Sequence, residues 1–294
     1  MLRLYIILVF TFFIVEENKA QLIKNKGDNE ATELQFGSSR IINGHSDKIL
    51  SKSELEFRVE HKFGDIAGEF GGFSTFYGLD NSSDIRIALE YGVLDNIMIG
   101  MGRNKGAGPY RGLLDGFIKA NITQQTENNS MPFSSSLLLS STLVYSERTN
   151  DLTSINSYPE FQHRMAYASQ LILTRNFFDR IIFSLNPTYV HRNLVTPDDQ
   201  NGLFSLGISG YVKITEKFGI LSEYYYNLNE ENKREEYQNS LSFALEWRTF
   251  GHVFSIYASN ARGFTEQQFI PYTPSNWLDG GFRLGFAIVR KFEF

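Results

Sequence analysis

Cysteine is absent from all 294 residues, which excludes disulfide frameworks, thiolate zinc sites, thiol nucleophiles and a lipid anchor on an N-terminal cysteine. Long apolar runs are absent too. Beyond Val15 no stretch approaches the ~18 apolar residues of a membrane-spanning helix, so a chain that crosses a bilayer must cross it with strands. Positive charge is not in excess: 28 Lys and Arg face 33 Asp and Glu, a net charge of −5 that argues against nucleic acid as a partner. No G-x-S-x-G, H-x-H or H-E-x-x-H spacing occurs. Ser169 shares the parity of His163 but stands six residues from it, about 20 Å along a strand. No enzyme activity is expected.

What is present is aromatic and alternating. The chain holds 26 Phe and 15 Tyr against 2 Trp, residues that favour strands and gather where an apolar surface meets water. Arg3 followed by the apolar stretch Leu4–Val15 and a polar passage to Ala20 reads as a secretory signal peptide over residues 1–20. Residues 21–53 are polar without a sustained period and read as a periplasmic N-terminal segment; its compact polar string Arg40–Ser46 suits docking a periplasmic partner or plugging the barrel. From Glu54 onward the period is two. In ELEFRVEHKF, Leu55, Phe57, Val59, His61 and Phe63 share one face and Glu54, Glu56, Arg58, Glu60 and Lys62 the other. Comparable segments recur near residues 84–92, 96–103, 112–122, 133–146, 161–175, 180–191, 203–214, 218–227, 237–248, 252–260 and 282–294. Their connections alternate short and long, as the turns and outer loops of membrane barrels do; 123–132 is the one turn longer than that rule suggests. A soluble sandwich or lipocalin-like barrel would share the alternation, but not the loop alternation or a closing strand that ends in Phe294.

The expected fold is therefore an all-β, transmembrane, antiparallel up-and-down β-barrel of about 12 strands over residues 54–294, both termini periplasmic, in a bacterial outer membrane. Its partners would be outer-membrane lipid, the barrel-insertion machinery through the C-terminal strand, and a small solute or a periplasmic protein. The polar parity assigns to the lumen Glu54, Glu56, Arg58, Glu60, Lys62, Arg86, Glu90, Asp115, Lys119, Arg164, Arg192, Lys213, Glu223, Glu246, Arg248 and Arg283. Both signs occur nearly equally, which favours ion pairs across a narrow or occluded bore over a ring of one charge. The apolar parity assigns His61, His163, His191 and His252, with Phe292 and Phe294, to the membrane interface, where rings with polar tips are at home. Outward histidines on separate strands do not converge, so no metal or other cofactor is expected. The aromatic stretches 66–80 and 264–278 read as outer loops that pack into or over the barrel mouth, or else bind a ligand.

Several strings carry a resemblance: RIINGHS (Arg40–Ser46), EHKFG (Glu60–Gly64), VHRNLV (Val190–Val195), GHVF (Gly251–Phe254) and NWLDG (Asn276–Gly280). In this order, from about Phe36 to the C terminus, the chain resembles the bacterial outer-membrane β-barrel family called domain of unknown function 5777. The resemblance implies a single-domain barrel and assigns no activity. Its histidine-bearing strings fall on His45, His61, His191 and His252, which keeps a haem- or metal-associated barrel as an alternative. The function these readings support first is a narrow channel or ligand-binding barrel for small solutes. The other alternative is a structural barrel with an occluded lumen that docks a periplasmic partner.

Overall fold

The computed structural model describes residues 31–32, 34–68, 71–81, 84–106, 108–229 and 237–293; the expected signal peptide, residues 21–30 and Phe294 lie outside them. The alternating segments form twelve strands: β1 (Glu54–Asp65), β2 (Asp84–Leu94), β3 (Ile97–Lys105), β4 (Gly112–Thr123), β5 (Ser134–Val144), β6 (Met165–Phe177), β7 (Ile181–Arg192), β8 (Gly202–Lys213), β9 (Phe218–Asn227), β10 (Ser240–Thr249), β11 (His252–Ser259) and β12 (Arg283–Glu293). Each pairs antiparallel with the next, and β12 returns to β1 from Glu54↔Glu293 to Asp65↔Arg283, closing the barrel. Closure leaves no unpaired edge, which is what lets strands cross hydrocarbon. Short connections gather at one end, with the start of β1 and the finish of β12; long connections gather at the other. We call these the turn end and the loop end.

Burial follows the parity, and its sense decides between the two barrel readings. Outward Met101, Leu245 and Ile256 are 67%, 65% and 65% exposed, while inward Arg86 and Glu90 are 0% exposed. Apolar side chains are outside and charges inside, the reverse of a soluble sandwich or lipocalin. A closed wall of exposed apolar side chains requires hydrocarbon around it. Aromatic contacts band both ends of this surface. At the turn end Trp247 stacks on Phe218 and Phe254, with ring centroids 6.0 and 5.4 Å apart, and His252 stacks on Phe254. At the loop end Trp277 packs on Phe243 and Phe282, and its Nε1 donates to the Leu241 carbonyl at 3.0 Å. Leu241 and Trp247 are six residues apart on β10, about 20 Å of strand, close to the ~25 Å apolar band of such barrels.

Twelve strands enclose more space than their own side chains fill. Two segments occupy it. Residues 34–50 enter from the turn end and fold back on themselves: Ile41 N donates to Gly44 O (2.8 Å) and Ser46 N to Ser39 O (3.0 Å). From the loop end, residues 260–273 descend with one short helical turn, α1 (Glu266–Phe269), whose four residues are all buried. Of the expected 21–53 segment, residues 34–50 lie inside the barrel and plug the lumen. The segment is anchored at the turn end, where Thr32 N donates to Gln125 O at 3.2 Å and Ala31 bridges Thr126 of the long β4–β5 turn. The aromatic stretch 264–278 divides: Phe264 and Phe269 face inward and are buried, while Trp277 folds down over the outside of β10.

Candidate functional site: the plugged lumen

The charged half of the lumen is built on β1, β2 and β4. Arg86 sits at its centre. Its Nη2 and Nε donate to the two carboxylate oxygens of Asp115 at 2.7 and 3.1 Å, and its Nη1 donates to Glu60 at 2.7 Å. Asp115 belongs to β4, so the pair reaches across β3, and the residue beneath it is Gly102. A Cβ at that position would stand 2.6 Å from Asp115 Oδ2 and 2.9 Å from Arg86 Nε, so glycine is what lets the fork close. Arg58 meets Glu56 at 2.9 Å and lies 3.7 Å from both Glu60 and Glu90. Paired in this way, buried charges avoid most of the desolvation penalty that isolated ones would incur.

The remaining lumen groups hold the plug, and they hold its backbone. Glu223 on β9 accepts from the N–H groups of Ile42, Asn43 and Gly44 at 3.4, 3.1 and 2.9 Å. Lys119 on β4 donates to the carbonyls of Ser39 and Ser46, both at 2.9 Å. Lys62 donates to Asn43 Oδ1 and Gly263 O, both at 2.6 Å, and to Ala261 O at 3.0 Å, joining the plug to the descending loop. Arg40 makes the same junction from the plug side, through the carbonyls of Asn43 and Phe264. Ser39 donates to Glu90 and Glu56. Apolar contacts back these bonds: Leu34, Phe36, Ile41 and Ile42 cluster with Ile182, Tyr211 and Leu221 of the wall.

His45 lies inside this cationic surround. Its ring meets Phe117 edge-on at 4.5 Å, and its Nε2 stands 3.3 Å from Arg40 Nη1, which can only donate. The bond therefore needs the neutral ring. Burial first, then Arg40, Lys119, Arg86 and Arg58, hold its pKa well below the ordinary histidine value. Five of the lumen groups were not assigned from the sequence: Arg40, Asn43 and His45 fall in a stretch without a period, and Asp84 and Asp65 lie at the loop-end rim. There Asp84 takes a bidentate bond from Arg262 at 3.0 and 3.0 Å, and Asp65 binds Arg283.

Twelve of the sixteen expected lumen residues are buried inside: Glu56, Arg58, Glu60, Lys62, Arg86, Glu90, Asp115, Lys119, Arg192, Glu223, Glu246 and Arg283. Arg192 closes the loop end, with Asp199 at 2.8 Å and the Tyr272 hydroxyl at 3.0 Å. Glu54, Lys213 and Arg248 stand at the turn-end rim, on Lys291 (3.7 Å), Glu216 (3.2 Å) and Glu246 (2.6 Å). Arg164 is a correction. It lies in a 3-10 turn (Phe161–Arg164) before β6, where it donates to the carbonyls of Val144 and Ser146 at the loop end. His163 shares that turn and accepts from Glu160 N at 3.1 Å, so it is not on a strand either. His61 stacks on Phe286, His191 lies beside Tyr189, and His252 approaches Arg290 at the turn end, where Phe292 also sits under the Arg290 guanidinium. These histidines are spread over the wall and do not meet, so the haem or metal alternative lacks the convergence it needs.

A family model described as a membrane bound beta barrel domain (DUF5777) matches residues 36–292. No curated protein matches the chain. Among solved structures, the NanC porin is similar at 10% identity and a TM-score of 0.49, over 82% of this chain and 100% of that one. The KdgM porin in complex with disordered oligogalacturonate is similar at 10% identity and 0.47, over 82% and 99%. The outer membrane protein Omp33 of Acinetobacter baumannii follows at 9% and 0.42, over 83% and 99%.

Proposed function

This chain belongs to the DUF5777 family of membrane-bound β-barrels, and on that premise we propose that it is an outer-membrane channel for small solutes, closed at rest by residues 34–50. One observation carries the reading: the lumen is filled by segments laid into it, while the wall itself is lined with charged, hydroxyl and amide side chains. A wall meant only to be a solid core would fill itself with apolar side chains, as small barrels do. Here the wall binds the plug chiefly through hydrogen bonds to its main chain. Water can replace those bonds when the plug leaves, at a net cost of about 1 kcal/mol for a typical bond. The wall that remains carries these polar groups, with apolar patches at Ile182, Leu221, Met98 and Phe117 where the plug packed, and residues 260–273 lose the Arg40 tie that joins Phe264 to the plug. The short turns and residues 31–32 face the periplasm in this arrangement, and the barrel is passive, without catalytic chemistry.

The test is conductance in planar bilayers of the full chain and of a form lacking residues 34–50, each first verified as a folded barrel by its heat-dependent shift on gels. The full chain is expected to be closed with rare openings, and the deletion form to give steady single-channel steps. A folded deletion form that stays silent would overturn the proposal and favour a purely structural barrel.

A further inference from the structure

The lumen wall is divided chemically. The charged side chains lie on β1, β2, β4 and β12, together with Glu223, Glu246 and, at the loop end of β7, Arg192; below Arg192 the inner faces of β6 and β7 carry none. This strip mixes amides and hydroxyls (Gln170, Thr174, Ser184, Asn186 and Thr188) with Ile172, Ile182 and Val190. Thr174 meets Ser184 at 3.1 Å, Ser184 donates to Asn186 Oδ1 at 2.8 Å, and the Gln170 amide reaches Thr188 Oγ1 at 2.7 Å. Some of its hydrogen-bonding capacity is unused. Buried Gln170 Oε1 and Ser209 Oγ have no hydrogen-bond partner among the described residues. The amide of Gln170 lies against two hydroxyls, so exchanging its oxygen and nitrogen leaves one terminal atom unmatched in either orientation.

At the turn end the strip opens into a cavity of about 200 Å³ between the plug and strands β4 to β7. That is several times the ~30 Å³ share of a water molecule in the liquid. Its wall is dominated by amides and hydroxyls, among them Asn121, Gln124, Gln125, Ser134, Thr174 and Asn176. Asn176 is 8% exposed; its Nδ2 donates to Asp179 at 2.8 Å, while its Oδ1 is another buried acceptor with no partner among the described residues. Gln125 bonds both main-chain groups of Asn176, at 3.0 and 2.7 Å, which fixes that residue in place. The charged groups in the lining are Asp47, Asp95 and Lys48, and the Lys48 ammonium lies on the carbonyls of Phe36 and Gly37 at 3.2 and 3.4 Å. Two carboxylates oppose an anionic ligand. Amides, which donate and accept in equal measure, match a ligand whose every group does both.

From this cavity and the uncharged strip above it, we propose that the turn-end vestibule binds a neutral polyhydroxylated small molecule, a sugar or polyol, with Asn176 and Asn121 as binding residues. The inference deepens the channel reading by naming its solute class, but its test is binding and stands apart from conductance. The full chain, in a detergent without a sugar headgroup, is titrated with glucose and galacturonate by calorimetry. Saturable glucose binding is expected, with galacturonate weaker by about tenfold. Asn176→Leu should weaken glucose binding by about tenfold or more, because it removes an acceptor the ligand would satisfy. Asn121→Leu, at a half-buried position, should act in the same direction and serves if the first variant fails to give the heat-dependent gel shift. The proposal is overturned by absence of glucose binding, by galacturonate binding as well, or by folded variants that bind like the parent chain. Glucose binding with a silent plug-deleted barrel would remove the channel and keep this site. Conductance without glucose binding would do the reverse.

Discussion

At the scale of single residues, the lumen is an arrangement in which few groups can change charge without consequence. His45 is the clearest case, because its bond to Arg40 needs a neutral ring and four cationic side chains (Arg40, Lys119, Arg86 and Arg58) disfavour the charged one. Acidic Glu60, Glu56 and Glu90 stand in the same network but are engaged by Arg86, Arg58 and Ser39. With its folded value depressed, the seated plug binds no proton between that value and the ordinary ~6.5, while an unseated His45 in water does. Seating is therefore at full strength above pH ~6.5 and weakens as pH falls below it, by up to ~1.4 kcal/mol per pH unit, or tenfold in the open fraction. Open probability in bilayers should rise about tenfold between pH 7.5 and 5.5. His45→Gln, neutral throughout, should flatten that rise; an unchanged pH profile in this variant would remove the histidine from the account.

At the scale of elements, the strands were legible because every second side chain meets a different solvent, and that rule leaves a mark within a few residues. β9 runs Phe218–Asn227, as the alternation alone expects, and β1 begins at Glu54. The rule misled where alternation continued through a turn. Phe161, His163, Met165 and Tyr167 keep the apolar parity, yet bonds between Glu160 and His163 bend the first four residues of that stretch into a 3-10 turn, taking His163 and Arg164 off the wall. The plug was legible only as a choice, because the compact polar string Arg40–Ser46 fits a lumen or a periplasmic partner alike. What selects the lumen is Lys62 nearby in sequence and Glu223, Ser242 and Phe264, about 180 or more residues away, and complementarity of that kind has no local period. A substitution at Gly102 tests how the wall depends on pairing across a strand. Gly102→Val would force Arg86 and Asp115 apart, and breaking a buried pair costs about 3–5 kcal/mol. The temperature at which the barrel loses its compact gel mobility should fall clearly. A value equal to the parent's would mean the pair contributes little to the β2–β4 wall.

For the whole molecule, the same alternation that identifies the barrel also leaves it with a problem. Twelve strands make a bore too wide for side chains to close, and the sequence closes it with a segment from outside the sheet and a loop from its far end. That division of labour separates the part that spans the membrane from the part that seals it. Because the chain has no cysteine, a single engineered pair can fix the plug in place without competing thiols. Asn43 on the plug donates to Ser242 on β10 at 2.8 Å, so thiols at Asn43→Cys and Ser242→Cys would lie within reach of a short bifunctional thiol reagent whose link a reductant cuts. The decisive measurement is single-channel conductance of this cross-linked form in a planar bilayer before and after reductant. The account expects a closed barrel that begins to open in discrete steps once the link is cut; identical silence before and after, from a barrel shown to be folded and reduced, would contradict it.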